Sequence, residues 1–221
     1  MYQFIKNNYI FYSVYFIVIV LTSYFIFTTT QLGLHHSINQ YVGNKFFDLF
    51  FKYITHLGDG LFLVFVAIVI LFFDIKKSIV LLLCYAISGG FTQFLKEVFF
   101  NFEMRPFFYY SFHDFHLKIV EGVEMHSQNS FPSGHATAAF CLFTFLSFFA
   151  KKNSQKLALI FIAFIVAFSR VYLSQHFIED VTAGSLIGLF FTTLLLYTFY
   201  HFNIFFKLNY LEKPIFQFFK K

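Results

Sequence analysis

The chain has 221 residues, 58% of them apolar and only 12% charged, with 41 Phe, no Trp and a net charge of +5 at neutral pH. That balance excludes an ordinary soluble domain and points to a single polytopic membrane domain over residues 1–221. The basic residues (16 against 11 acidic) are dispersed rather than gathered into one stripe, which argues against a nucleic-acid partner and for membrane topology.

In chain order, the first apolar segment, 9–30, follows Lys6. It is longer than a signal-peptide core and lacks a small-residue cleavage site, so it reads as a retained anchor. His35 and His36, in the first outer loop, suggest only interface contact. "KFFDLFFKYI" (45–54) has the two-sided pattern of a helix lying in the membrane interface. Further spans are predicted over 60–73, 78–99, 136–150, 156–169 and 177–200, making an all-α polytopic membrane helical bundle of about six transmembrane helices. Gly89-Gly90 in the third span suggests close helix packing. Cys84 and Cys141 lie inside apolar runs and behave as small hydrophobes. A long polar connection, 101–132, forms an outer loop. Its His113, His116 and His126, with Asp114, Glu121 and Glu124, read as a solvated loop rather than a metal site.

Six spans place Lys6, Lys76, Lys77, Lys151, Lys152, Lys156, Lys207, Lys213, Lys220 and Lys221 on one side. Lys45, Lys52, Lys96, Arg105, Lys118 and Arg170 fall on the other. The first side is predicted to be cytoplasmic, with both termini inside and the opposite face outside a bacterial inner (plasma) membrane.

Three polar clusters fall on that outer face. The end of the third span carries Lys96, followed by Arg105-Pro106. The start of the fourth carries Pro132-Ser133-Gly134-His135. The junction of the last two spans, "FSRVYLSQHFIED", carries Arg170, His176 and Asp180. Each has a bland reading as a helix cap or an interfacial charge. Together at one interface they suit a phosphate: cations for its oxygens, a helix N-terminus with unpaired N–H groups, and two imidazoles for nucleophilic and acid chemistry. The four-residue step from His176 to Asp180 predicts a shared helix face and a carboxylate that fixes the imidazole tautomer.

These motifs resemble those of the type-2 phosphatidic acid phosphatase superfamily, which shares its core with vanadium haloperoxidases. The second motif is intact as Pro132-Ser133-Gly134-His135, and the third as Ser169-Arg170, "VYLSQ", His176, "FIE", Asp180. The first departs from the family's Lys, six residues, Arg-Pro: here eight residues, "EVFFNFEM", separate Lys96 from Arg105. A continuous helix would hold those two about 13 Å apart, so both reach one phosphate only if the backbone bends back near Asn101 and Phe102. "THLGDG" (55–60) also resembles a stretch common in the family, and the likeness is strongest over 55–188.

The resemblance implies an integral-membrane lipid phosphatase acting on a lipid phosphate or diphosphate. His176 would be the nucleophile forming a phosphohistidine, Asp180 its orienting partner and His135 the acid on the leaving oxygen. Lys96, Arg105, Ser133, Gly134 and Arg170 would hold the phosphoryl oxygens, with no metal or cofactor. Candidate substrates are lipid A, undecaprenyl diphosphate, phosphatidylglycerophosphate and phosphatidate. The rival readings are a vanadate-dependent haloperoxidase-like enzyme, and a lipid-binding or transport protein without catalysis.

Overall fold

The computed structural model describes residues 5–113 and 115–202, so Asp114, Lys207, Lys213, Lys220 and Lys221 lie outside it. The described elements are α1 (Tyr9–Thr28), α2 (Gln31–Asn39), α3 (Lys45–Ile54), a 3-10 turn (Thr55–Gly58), α4 (Gly60–Leu71), α5 (Ile75–Val98), α6 (Pro106–Tyr110), α7 (Gly134–Phe149), α8 (Asn153–Tyr172) and α9 (Ile178–His201).

Helices α1, α5, α8 and α9 are each long and apolar enough to cross a membrane. Helix α3, the 3-10 turn and α4 make a fifth candidate, bent by 57°. The 45–54 segment is a helix of its own, α3, which meets α4 through the 3-10 turn at that bend and leaves Phe46, Leu49 and Tyr53 exposed. The remaining predicted span, α7, has 16 residues, about 24 Å of helix against a hydrocarbon layer of about 30 Å. It is covered by protein instead of lipid: Ala136, Ala139, Phe140, Cys141, Leu142 and Phe145 are all fully buried. A helix apolar on every side sits in the middle of a bundle. Phe140 and Phe143 join the core shared with α1 and α8, while Cys141, Leu142 and Phe145 join the core shared with α4, α5 and α9. Helix α1 turns Phe16, Val20, Tyr24 and Phe27 outward and is fastened to α9 through Tyr12–Thr193 (2.6 Å) and Tyr15–Ser185 (3.0 Å) hydroxyl pairs.

Polar caps mark where the apolar runs stop. The Asp74 side chain accepts from Lys77 N at the start of α5, and the Ser133 side chain accepts from Ala136 N at the start of α7, each satisfying an N–H that the helix cannot. Helix alternation puts Lys76, Lys77 and Lys156 at one end of the bundle. There Lys76 lies over the Tyr200 ring, Lys77 over Phe149, and Lys156 bonds Asn7 O. Lys96, His135 and Arg170 occupy the other end.

Helix α9 approaches α7 through two glycines. A Cβ at Gly184 would lie 2.3 Å from Ser133 O, and one at Gly188 would lie 2.4 Å from Thr137 O. Both are backbone atoms that cannot swing aside. Gly184→Val is therefore expected to force α9 off α7 and lower stability by about 1–3 kcal/mol. Thermal unfolding in detergent measures this; an unchanged midpoint would mean that the helices are not in backbone contact.

Candidate active site

The turn between α8 and α9 brings Arg170 and His176 together. Gln175 N and His176 N both donate to Arg170 O (2.9 and 3.2 Å), and Ser174 takes a left-handed φ of 53° to allow the reversal. The His176–Asp180 pair exists, but not on a shared helix face, because α9 begins only at Ile178. Asp180 instead reaches back from the first turn of α9. Its Oδ2 accepts from His176 Nδ1 (3.2 Å), Phe177 N (2.9 Å) and Ser130 Oγ (2.5 Å). One carboxylate oxygen thus caps a helix, anchors the loop before the second motif and leaves His176 Nε2 for chemistry. Both residues are buried. Burial first, then Arg105, Arg170, Lys96 and His135, holds the His176 imidazole well below its ordinary pKa. The ring is neutral at physiological pH, as a nucleophile requires.

The same four groups show that the motifs converge, since all act electrostatically on His176. The extra residues between Lys96 and Arg105 are absorbed as the sequence required. Helix α5 stops at Val98, Phe99 N and Phe100 N both fold onto Leu95 O, and the chain turns through Asn101-Phe102. Lys96 Nζ donates to Asn129 O (2.7 Å) and Arg105 Nε to Gln128 O (2.9 Å), so the two cations stand on adjacent carbonyls of one strap. Arg105 Nη1 also donates to Gln175 O (3.2 Å), beside His176. Arg170 Nη1 donates to Thr55 Oγ1 (3.0 Å), while its Nε is buried with no hydrogen-bond partner among the described residues.

At the second motif, Ser133 N donates to Asp180 O (2.9 Å), which docks the start of α7 onto the start of α9. The N–H groups remaining at that helix start include those of Gly134 and His135. Among the described residues, nothing beyond Gly134's own neighbours and helix backbone lies within 4 Å of where its Cβ would project, so the backbone there is open to a ligand. His135 Nε2 is 2.6 Å from Asp59 Oδ1.

Sequence reasoning gave no role to Asp59, Thr55 or Ser130. The first two belong to "THLGDG", a stretch noticed but left without chemistry; Ser130 offers no pattern signal at all. His35 is corrected outright. It is buried beneath the site between the Tyr110 and Phe177 rings, with Nε2 3.2 Å from Ser174 Oγ. Burial drives its pKa down to about 4, so it packs as a neutral ring rather than an interface contact. Gly89 and Gly90 are corrected as well: they do not seat a neighbouring helix. With Gly58, Gly60, Gly134 and His135 they line a groove of about 490 Å³, and close helix packing falls to Gly184 and Gly188. In the outer loop, His113 stacks on Tyr109, and no three His, Cys, Asp or Glu side chains gather as a metal site among the described residues.

Residues 77–204, more than half of the chain, match the sequence model of the PAP2 superfamily. The chain belongs to the PAP2 superfamily. This PAP2 protein is 32% identical to phosphatidylglycerophosphatase B of Bacillus subtilis (strain 168) over 150 residues, which are 62% of this chain and 67% of that protein. Its fold resembles the crystal structure of Aquifex aeolicus LpxE (TM-score 0.64, 28% identity, 75% of this chain and 93% of that one). It also resembles the first transmembrane PAP2 type phosphatidylglycerolphosphate phosphatase from Bacillus subtilis (TM-score 0.63, 25% identity, 93% and 100%). The PAP2 chain is an integral-membrane phosphatase.

Proposed function

We propose that this PAP2 phosphatase hydrolyses a lipid phosphate or diphosphate at the extracytoplasmic membrane face, through a phosphohistidine on His176. The observation that carries the reading is the buried His176–Asp180 pair, with Lys96, Arg105, Arg170 and His135 all acting on the imidazole.

Asp180 holds the Nδ1–H tautomer, so the Nε2 lone pair attacks phosphorus. Charge developing on the phosphoryl oxygens meets Arg105, Arg170 and Lys96, together with the Gly134 and His135 N–H groups at the start of α7. Ser133 Oγ accepts from Ala136 N, which leaves its hydroxyl proton for a phosphoryl oxygen. His135 protonates the leaving lipid oxygen, then takes a proton from the water that attacks the phosphohistidine.

A lipid substrate is favoured by position. The site sits at one end of the apolar bundle, and the groove beside His135, between α4 and α5, offers room for the leaving alcohol. The outward orientation rests on Lys6, Lys76, Lys77, Lys151, Lys152 and Lys156, gathered toward the opposite end. Phosphatidylglycerophosphate is the first substrate to test, because it names the Bacillus subtilis phosphatase matched both in sequence and in structure. Purified protein in detergent is expected to release phosphate from it faster than from phosphatidate, undecaprenyl diphosphate or lipid A. Release from none of the four would contradict the proposal.

A further inference from the structure

Asp59 stands between the 3-10 turn and α4, upstream of the residues that match the family. Its carboxylate joins two imidazoles: Oδ1 lies 2.6 Å from His135 Nε2, and Oδ2 lies 2.9 Å from His56 Nδ1. The backbone beside it is seated firmly, since a Cβ at Gly58 would already lie 3.2 Å from His135 O and 2.8 Å from Val166 Cγ1. The start of α4 is thereby set against the start of α7. With Nε2 engaged by Asp59, Nδ1 is the nitrogen that His135 has left for a substrate.

We infer that Asp59 is the positioning residue of His135: it aims Nδ1 at the leaving oxygen and sustains the imidazolium that protonates it. The inference rests on the acid role proposed for His135. As His176 Nε2 bonds to phosphorus and the bond from phosphorus to the lipid oxygen breaks, the Nδ1 proton passes to that oxygen. The Nε2 proton stays in its hydrogen bond to Asp59. Water then attacks the phosphohistidine, gives one proton back to Nδ1 and releases phosphate and free His176. The site would hold two His–Asp pairs of opposite duty. Asp180 keeps a neutral ring in its nucleophilic tautomer, and Asp59 supports a charged ring that donates.

The charged groups facing His135 are Asp59, Arg170 and Arg105, with His56 beyond Asp59. Burial first, then the two guanidinium groups, oppose the imidazolium, and one carboxylate favours it. Removing that carboxylate leaves the cation unsupported, so the protonated acid is lost at lower pH.

The test compares Asp59→Asn with the wild type by kcat/KM, which reports transfer to His176, across a pH series. One substrate is phosphatidylglycerophosphate, whose alkoxide needs a proton to leave. The other is p-nitrophenyl phosphate, whose phenolate leaves without one. The expected result is a loss of about 10- to 100-fold on the lipid, a much smaller loss on the activated ester, and an alkaline limb shifted to lower pH on the lipid. Asp59→Glu, which keeps the charge, should recover part of the lipid rate. Equal losses on both esters with an unmoved limb would overturn the inference and leave Asp59 a structural link. A wild type that turns over neither ester would overturn the phosphatase reading beneath it.

Discussion

Replacing His176 with alanine is expected to abolish turnover. The ring is buried and its Nδ1 is committed to Asp180, while the other imidazole of the motif cluster, His135, is engaged by Asp59. Alanine leaves the cations and the α7 N-terminus in place, so lipid phosphate should still bind while phosphoryl transfer has no acceptor. Loss of a covalent nucleophile removes about 10⁴-fold or more of the rate. The fold is expected to survive, because Asp180 keeps its bonds from Ser130 and Phe177 N. Phosphate release measured beside thermal unfolding separates these effects. Activity within tenfold of wild type would end the nucleophile assignment.

Asp180→Asn should produce the next largest loss. An asparagine oxygen can occupy the Oδ2 position and still accept from Phe177 N, Ser130 Oγ and His176 Nδ1, so the start of α9 and the 128–133 strap stay docked. What disappears is the negative charge that stabilises the ring as it becomes a cationic phosphohistidine, in a setting where Arg105, Arg170 and Lys96 oppose that charge. A fall in kcat of about 100-fold is expected, with little change in unfolding temperature. An unchanged kcat would reduce Asp180 to a helix cap.

These substitutions also show which parts of the protein were legible in its sequence. The apolar runs are bounded by residues that cannot stay in hydrocarbon, so the helices begin and end within a few positions of their predicted limits. The place of α7 was not legible: a segment apolar on every side reads the same whether lipid or protein surrounds it. The second and third motifs could be read because their spacing is local and the turn that uses it is short. Even so, the His176–Asp180 bond forms through a helix cap, a geometry that the four-residue step alone does not distinguish from a helix face. The Lys96–Arg105 spacing was only half readable. Where α5 ends is tied to the carbonyls of Asn129 and Gln128, which latch Lys96 and Arg105 from 33 and 23 positions further along the chain. Asp59 was invisible for the same reason. An aspartate beside glycine reads as a helix start, and its partner, His135, lies on another helix far along the chain.

The central claim is a covalent bond between phosphorus and His176, and trapping that bond tests it most directly. Purified protein would be mixed with ³²P-labelled phosphatidylglycerophosphate, quenched in base, where phosphohistidine survives, and digested for peptide mapping. Label confined to the peptide carrying His176 and absent from His176→Ala is the predicted result. Phosphate release by the wild type with no label on His176, or with label on another residue, would contradict it.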